Sequence, residues 1–194
     1  MAGKNGLTFV EKKKILSKEL VREILITVFY CFAAVLLATV LVIAFGYKST
    51  SIGASMRPEL ENGQEVLVDR FVFKLLTPKR FDVVCFYPKG NTNSHIYIKR
   101  VIGLPGETVE IKDGYVYING VRLLEDESYD KIEDAGIAES EFKLNDKEYF
   151  VLGDNRNNSE DSRMGNIGAV HADTMIGRAW FKFSTDENGF GFIK

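Results

Sequence analysis

Two hydrophobic patterns divide the chain. From Ile24 to Phe45 the residues are apolar and uncharged, interrupted only by Thr27, Tyr30 and Thr39. A helix rises about 1.5 Å per residue, so this run spans the roughly 30 Å hydrocarbon core of a bilayer with some tilt. One transmembrane helix is therefore expected over residues 24–46. Beyond it, short segments rich in Val, Ile, Tyr and Phe alternate with turn residues, which is the pattern of β-strands. Glu65 to Asp69, Val83 to Tyr87, Ile96 to Ile102, Thr108 to Lys112, Tyr115 to Ile118 and Ile176 to Phe183 read as strands. Asp113-Gly114 and Asn119-Gly120 supply the positive φ of two-residue hairpin turns, which predicts a small meander from Thr108 to Leu124. The expected fold is mainly β and antiparallel, preceded by one helix.

Charge then orients the helix. Residues 1–23 carry Lys4, Lys12, Lys13, Lys14, Lys18 and Arg22 against Glu11, Glu19 and Glu23. The bias towards cytoplasmic Lys and Arg places this segment in the cytoplasm and residues 47–194 outside. A cleavable signal peptide has a shorter apolar region, of about 7 to 15 residues, and a small-residue ending. Tyr47-Lys48-Ser49 is a poor version of that ending, so the run reads as an anchor. At 194 residues there is room for one compact unit with a modest insertion. A formal net charge of -2 gives no reason to expect nucleic acid as a partner.

Cys31 lies in the apolar run and Cys85 in a predicted strand, so the outer part must be held by its core rather than by a disulfide. His95 and His171 lack neighbours at metal-ligand spacing, and neither metal nor cofactor is expected. Residues 125–141 are densely acidic and read as an exposed loop with at most a short helix.

Four places stand out as candidates for chemistry: the segments around Ser55 and Lys99, Arg80 to Phe86, and Gly153 to Arg163. Ser55 follows Gly53 and precedes Pro58, in a segment that must turn and can present a hydroxyl beside a backbone N–H. Serines in such loops are more often plain turn residues. Lys99 shares a strand face with Tyr97 and Val101, and burial there lowers a lysine pKa towards the range useful to a general base. A strand lysine more commonly keeps its head in water. Gly153 to Arg163 is dense in Asp, Asn, Arg and Ser; it reads equally as a surface loop or as a hydrogen-bonded platform carrying Ser159. Local chemistry leaves each of these alternatives open.

Taken together, the motifs resemble bacterial type I signal peptidases, the serine-lysine enzymes that remove signal peptides from exported proteins. The likeness rests on an N-terminal anchor, Ser55-Met56-x-Pro58, Arg80-x-Asp82-Val83-Val84, Lys99-Arg100-Val101-Ile102-Gly103-x-Pro105-Gly106, and Gly153-Asp154-Asn155-Arg156 running on to Ser159-x-Asp161-Ser162-Arg163. Each motif is moderately specific, and their order and spacing together are highly specific. A single anchor and a short outer part look like the Gram-positive form.

The resemblance implies that Ser55 attacks the scissile carbonyl, Lys99 takes its proton and Ser159 orients Lys99. It further implies that Met56 lines the small pocket beside the cleaved bond and that Asp161 and Arg163 form a supporting ion pair. Its fold is a β-rich core with a smaller β insertion, here about residues 104–150. Cleavage after small residues of the Ala-x-Ala type is expected, with signal peptides of exported preproteins and membrane lipid as partners. The translocation machinery is a further candidate partner. The chain from Tyr47 to Ser55 extends at most about 3.3 to 3.6 Å per residue, so Ser55 is expected within roughly 30 Å of the outer membrane face, where a cleavage site emerges.

Three positions depart from the family pattern. Glu59 stands where Thr is usual, Phe81 where Gly is common, and Asn157 where Asp is common. Glu59 is expected to raise the pKa of Lys99 if its carboxylate comes close. Gly53 stands where some relatives supply an oxyanion-binding hydroxyl, so the donors here are expected to be backbone N–H groups, chiefly that of Ser55. The competing readings are a Ser-His-Asp hydrolase using His95 or His171, a membrane-anchored binding or assembly protein that has lost activity, and a self-cleaving repressor whose DNA-binding module the anchor would replace.

Overall fold

The computed structural model describes residues 17 to 194, so Lys4, Lys12, Lys13 and Lys14 of the basic N-terminal segment lie outside the described residues. Helix α1 (Lys18–Phe45) has 28 residues and starts ahead of the apolar run, because Ser17 Oγ accepts the Leu20 N–H at 3.1 Å and caps the first turn. Thr27 and Thr39 donate their hydroxyls to the carbonyls of Glu23 and Val35 at 2.9 and 2.8 Å, which removes the cost of polar groups on an apolar helix. Residues Lys18–Ile43 are long and apolar enough to cross a membrane, with a mean hydropathy of 2.7 over the most apolar window.

The residues from Leu41 onward form a separate compact unit built from two antiparallel sheets. Its strands are β1 (Tyr47–Thr50), β2 (Glu65–Asp69), β3 (Val83–Phe86), β4 (Tyr97–Gly103), β5 (Thr108–Lys112), β6 (Tyr115–Ile118), β7 (Val121–Arg122), β8 (Phe142–Lys143), β9 (Glu148–Leu152), β10 (Val170–His171), β11 (Met175–Lys182) and β12 (Gly191–Phe192). The larger sheet runs β1-β2-β11-β3-β4-β9-β10, with β12 also on β11. The smaller runs β7-β6-β5-β8 and is inserted between β4 and β9. Both expected hairpin turns form, with φ of +54° and +81° at Asp113-Gly114 and +50° and +78° at Asn119-Gly120.

Strand β4 is the element that matters most for the site. It lies between β3 and β9, pairing Lys99 with Val84, Val101 with Val151, and Arg100 with both Val83 and Leu152. From Ile98 to Gly103 every residue is buried. A strand covered on both faces loses its period-2 alternation, and this is equally why β9, with the unbroken run Tyr149-Phe150-Val151-Leu152, was not readable as a strand from pattern alone.

One core cluster, including Ile102, Val109, Val116, Leu144 and Phe150, joins the small sheet to β4 and β9. A second, including Met56, Leu60, Val68, Val83 and Ile98, packs the Ser55 loop against the large sheet. The acidic segment 125–141 is mostly the exposed loop expected of it, but two of its apolar residues are anchored in the core. Ile132 and Ala138 are buried in the first cluster, and a single 3₁₀ turn spans Gly136–Ala138.

At the junction of the two sheets, a Cβ on Gly103 would lie 2.6 Å from Val109 Cγ2, 2.8 Å from Leu144 Cδ1 and 2.9 Å from Phe150 Cβ. Those neighbours are themselves packed and have little room to retreat. Gly103→Ala is therefore expected to lower stability by about 1–3 kcal/mol, read as a fall in the midpoint of thermal unfolding. An unchanged midpoint would show that the junction is loosely packed.

Candidate active site

The Ser55 loop is held in place by hydrogen bonds at several points. Gly53 takes a φ of +80°, a conformation open to glycine at no steric cost, and its N–H donates to Asn62 Oδ1 at 2.8 Å. Asn155 clamps the other side: its N–H donates to the Ser55 carbonyl at 3.0 Å and its Nδ2 to the Ala54 carbonyl at 3.1 Å. The Ser55 N–H donates to no protein acceptor among the described residues and is left available beside its own hydroxyl.

Lys99 Nζ lies 2.7 Å from Ser55 Oγ. The side chain is buried, with the residue only 4% exposed, and Nζ is 5.5 Å from the centre of the Tyr97 ring. Burial drives its pKa from 10.5 down to about 8; Asp161, Glu160 and Asp154 pull the other way. When charged, the amine donates to Ser55; when neutral, its lone pair faces the serine proton.

Beneath the pair runs the Gly153–Arg163 platform. Asp161 is fully buried and accepts the Gly153 N–H at 3.1 Å, while Arg163 grips both its oxygens at 2.8 and 2.9 Å. Arg163 also donates to the carbonyls of Arg156 at 2.6 Å and Asp134 at 3.1 Å, which ties the acidic segment to the platform. On the opposite face of β4, Arg100 makes a bidentate pair with Asp154 at 2.7 and 2.6 Å. Arg156 does the same with Glu125 at 3.0 and 2.6 Å. Paired and hydrogen-bonded in this way, the buried charges escape most of their desolvation penalty.

Ser159 sits at this centre, but its buried Oγ has no hydrogen-bond partner, and the bond to Lys99 implied by the resemblance is not made here. The hydroxyl instead fills the space above Gly153, where a Cβ would collide with it and with the Ser55 carbonyl. Met56 is fully buried in the second core cluster, which also contains Ile98, and is not among the residues that line the cleft. The cleft, of about 180 Å³, is lined by Ser51 to Ser55, by His95 to Lys99, and by Asn158 and Glu160.

The three departures each have a local account. Glu59 pairs with Lys182 at 3.0 Å and is not among the charges acting on Lys99, so its expected threat to the base is replaced by that of Glu160 and Asp161. Phe81 has a φ of +72°, a conformation that costs a non-glycine residue about 1–2 kcal/mol. It aims the Phe81 carbonyl at Arg100, which donates to it at 3.0 Å. Asn157 uses both ends of its amide: Oδ1 accepts the Glu133 N–H at 3.0 Å and Nδ2 donates to the Lys131 carbonyl at 3.0 Å. A carboxylate could do only the first.

The rival constellations are not assembled. His95 stacks on Tyr97 at 4.6 Å and has no carboxylate partner among the described residues; His171 is occupied with Asp173. Among the described residues no group of three His, Cys, Asp or Glu side chains is placed to hold a metal ion. Cys85 is buried in β3, and burial pushes its thiol up to about 12, which leaves it a small core hydrophobe.

Residues 22–184 match the family model for signal peptidase, peptidase S26. The chain belongs to the signal peptidase I family. It is 34% identical to a probable signal peptidase I-2 of Synechocystis, over 76% of this chain and 70% of that one. It is 38% identical to signal peptidase I T of Bacillus subtilis, over 68% and 70%. Signal peptidase I of Bacillus licheniformis is 35% identical over 77% and 85%. As a signal peptidase I, the chain is a protease that removes signal peptides. Asn155 and Glu160 stand inside or beside the motifs, and nothing in residue type alone gives them the contacts they make with the Ser55 loop and with Tyr97.

The depressed pKa of Lys99 carries a stability consequence. Unfolding restores its ordinary value, so between about pH 8 and 10.5 the unfolded chain binds more protons and stability rises with pH. Below about pH 8 the site carries a constant penalty of about 3 kcal/mol, at about 1.4 kcal/mol per pH unit. Lys99→Met is therefore expected to stabilise the fold by up to about that amount at pH 7, and the gain should fade towards pH 10.5. A gain independent of pH would mean that the amine is not desolvated.

Proposed function

We propose that this signal peptidase works through a Ser55–Lys99 dyad, and the observation that carries the reading is the 2.7 Å approach of a buried amine to the serine hydroxyl. Neutral Lys99 takes the Ser55 proton as Oγ attacks the scissile carbonyl. The resulting Lys99 ammonium gives that proton to the leaving amine, which departs and leaves an ester on Ser55. Lys99, neutral again, then draws a proton from the water that hydrolyses the ester. The free Ser55 N–H is the donor placed to meet the developing oxyanion. Ser159, with an unsatisfied hydroxyl beside the pair, orients the amine when the site closes on substrate.

The narrow cleft, walled by Ile52, Ala54, Ile96 and Ile98, favours small side chains next to the cleaved bond, in keeping with Ala-x-Ala sites. The apolar helix α1 anchors the chain in the membrane, with the basic N-terminus in the cytoplasm and residues 47–194 outside. Substrate and enzyme then share one bilayer, which raises their effective concentration.

Ser55→Ala and Lys99→Met are each expected to reduce cleavage of a signal-peptide substrate in detergent by about a thousandfold or more. In the wild type, kcat/KM should rise with pH through a midpoint near 8, where Lys99 loses its proton. Full activity in Lys99→Met would sink the dyad. So would a pH profile that is flat through this range.

A further inference from the structure

Resting on the dyad just described, the cleft has an electrostatic feature of its own. Its lining contains one carboxylate, Glu160, and one amine, Lys99. Glu160 is exposed, forms no ion pair among the described residues, and is held by the Tyr97 hydroxyl, which donates to its Oε2 at 2.8 Å. The other carboxylates near the dyad are already engaged, Asp161 by Arg163 and Asp154 by Arg100. Catalysis requires Lys99 to be neutral, so in the reactive state Glu160 is the only formal charge among Ser55, Lys99 and the acidic residues of the cleft wall. A substrate lying in the cleft meets one fixed negative charge.

We propose that Glu160 is a specificity-determining residue, which favours a basic side chain and disfavours an acidic one at a substrate position close to the scissile bond. Tyr97 stands two residues before Lys99 on β4, about 6–7 Å along the strand. An extended substrate advances about 3.3 Å per residue, so the position that faces Glu160 lies within about two or three residues of the cleaved bond. Tyr97 supplies the fixed geometry: its hydroxyl limits the carboxylate to one edge of the cleft, and His95 stacked on its ring limits the tyrosine. The proposal assigns Glu160 no part in proton transfer.

The test uses the full chain in detergent and quenched fluorescent peptides that share one Ala-x-Ala site. The peptides differ only by Lys, Gln or Glu, one position at a time, at the x between the two alanines and at each of the three positions after the bond. Comparing peptides on one enzyme cancels any effect of Glu160 on the protonation of Lys99. For the wild type, kcat/KM at one position should favour Lys over Glu by about fivefold or more, as expected of a partly exposed charge pair, and the ratio should shrink as salt is added. Glu160→Gln should bring that ratio close to one, and Glu160→Lys should invert it. A ratio that survives both substitutions, or no preference at any position while the Gln peptides are cleaved, overturns the role of Glu160 alone. Failure to cleave any peptide, the Gln series included, contradicts the dyad reading and this inference with it.

Discussion

The site depends on keeping the Lys99 amine out of water. An ammonium in that position costs several kcal/mol, and the rest of the architecture can be understood as meeting or limiting that cost. Strand β4 is covered on both faces and buried from Ile98 onward, so Lys99 is surrounded by packed neighbours rather than by solvent. The carboxylates that would restore its charge are themselves held by arginines, Asp161 by Arg163 and Asp154 by Arg100. A buried carboxylate without such a partner would attract a proton or draw one onto the lysine. Ion pairing on the platform therefore serves the base as well as the fold.

The same platform fixes the nucleophile. Asn155 holds the Ser55 loop by its main chain and its side chain, and the absence of a Cβ at Gly153 lets Ser159 and the Ser55 carbonyl occupy one small space. Arg163, Arg156 and Asn157 extend the network into the segment 125–141, which accordingly packs against the platform despite its charge. The small sheet, joined to β4 and β9 by a shared core, completes the support from the other end of the strand.

Much of this was legible in the sequence where local chemistry leaves a periodic or dipeptide signal. The apolar run before Gly46 and the hairpins at Asp113-Gly114 and Asn119-Gly120 are of that kind. Strand β9 was hidden because a doubly buried strand does not alternate, and β8, β10 and β12 because two residues carry no period. At the site, residue type pointed to Ser55 and Lys99 only weakly; the order of the motifs made the pair persuasive, and their contact is a tertiary fact. The effect expected of Glu59 rests on its nearness in sequence to Ser55, which is not nearness to the chemistry of the site. The turn that follows Ser55 sends the Glu59 side chain to Lys182. Glu160 was passed over for the converse reason, since it reaches the cleft across more than a hundred residues of chain.

The central claim, that burial lets Lys99 lose its proton near pH 8 rather than near 10.5, is tested most directly by titrating the amine itself. Full-length chain in detergent, with lysine carbon-labelled at Cε, can be followed by NMR from pH 6 to 11, and the Lys99 signal assigned by its loss in Lys99→Met. A midpoint near 8 is the result expected of the buried amine. A midpoint close to 10.5, the value of a lysine in water, would contradict the account.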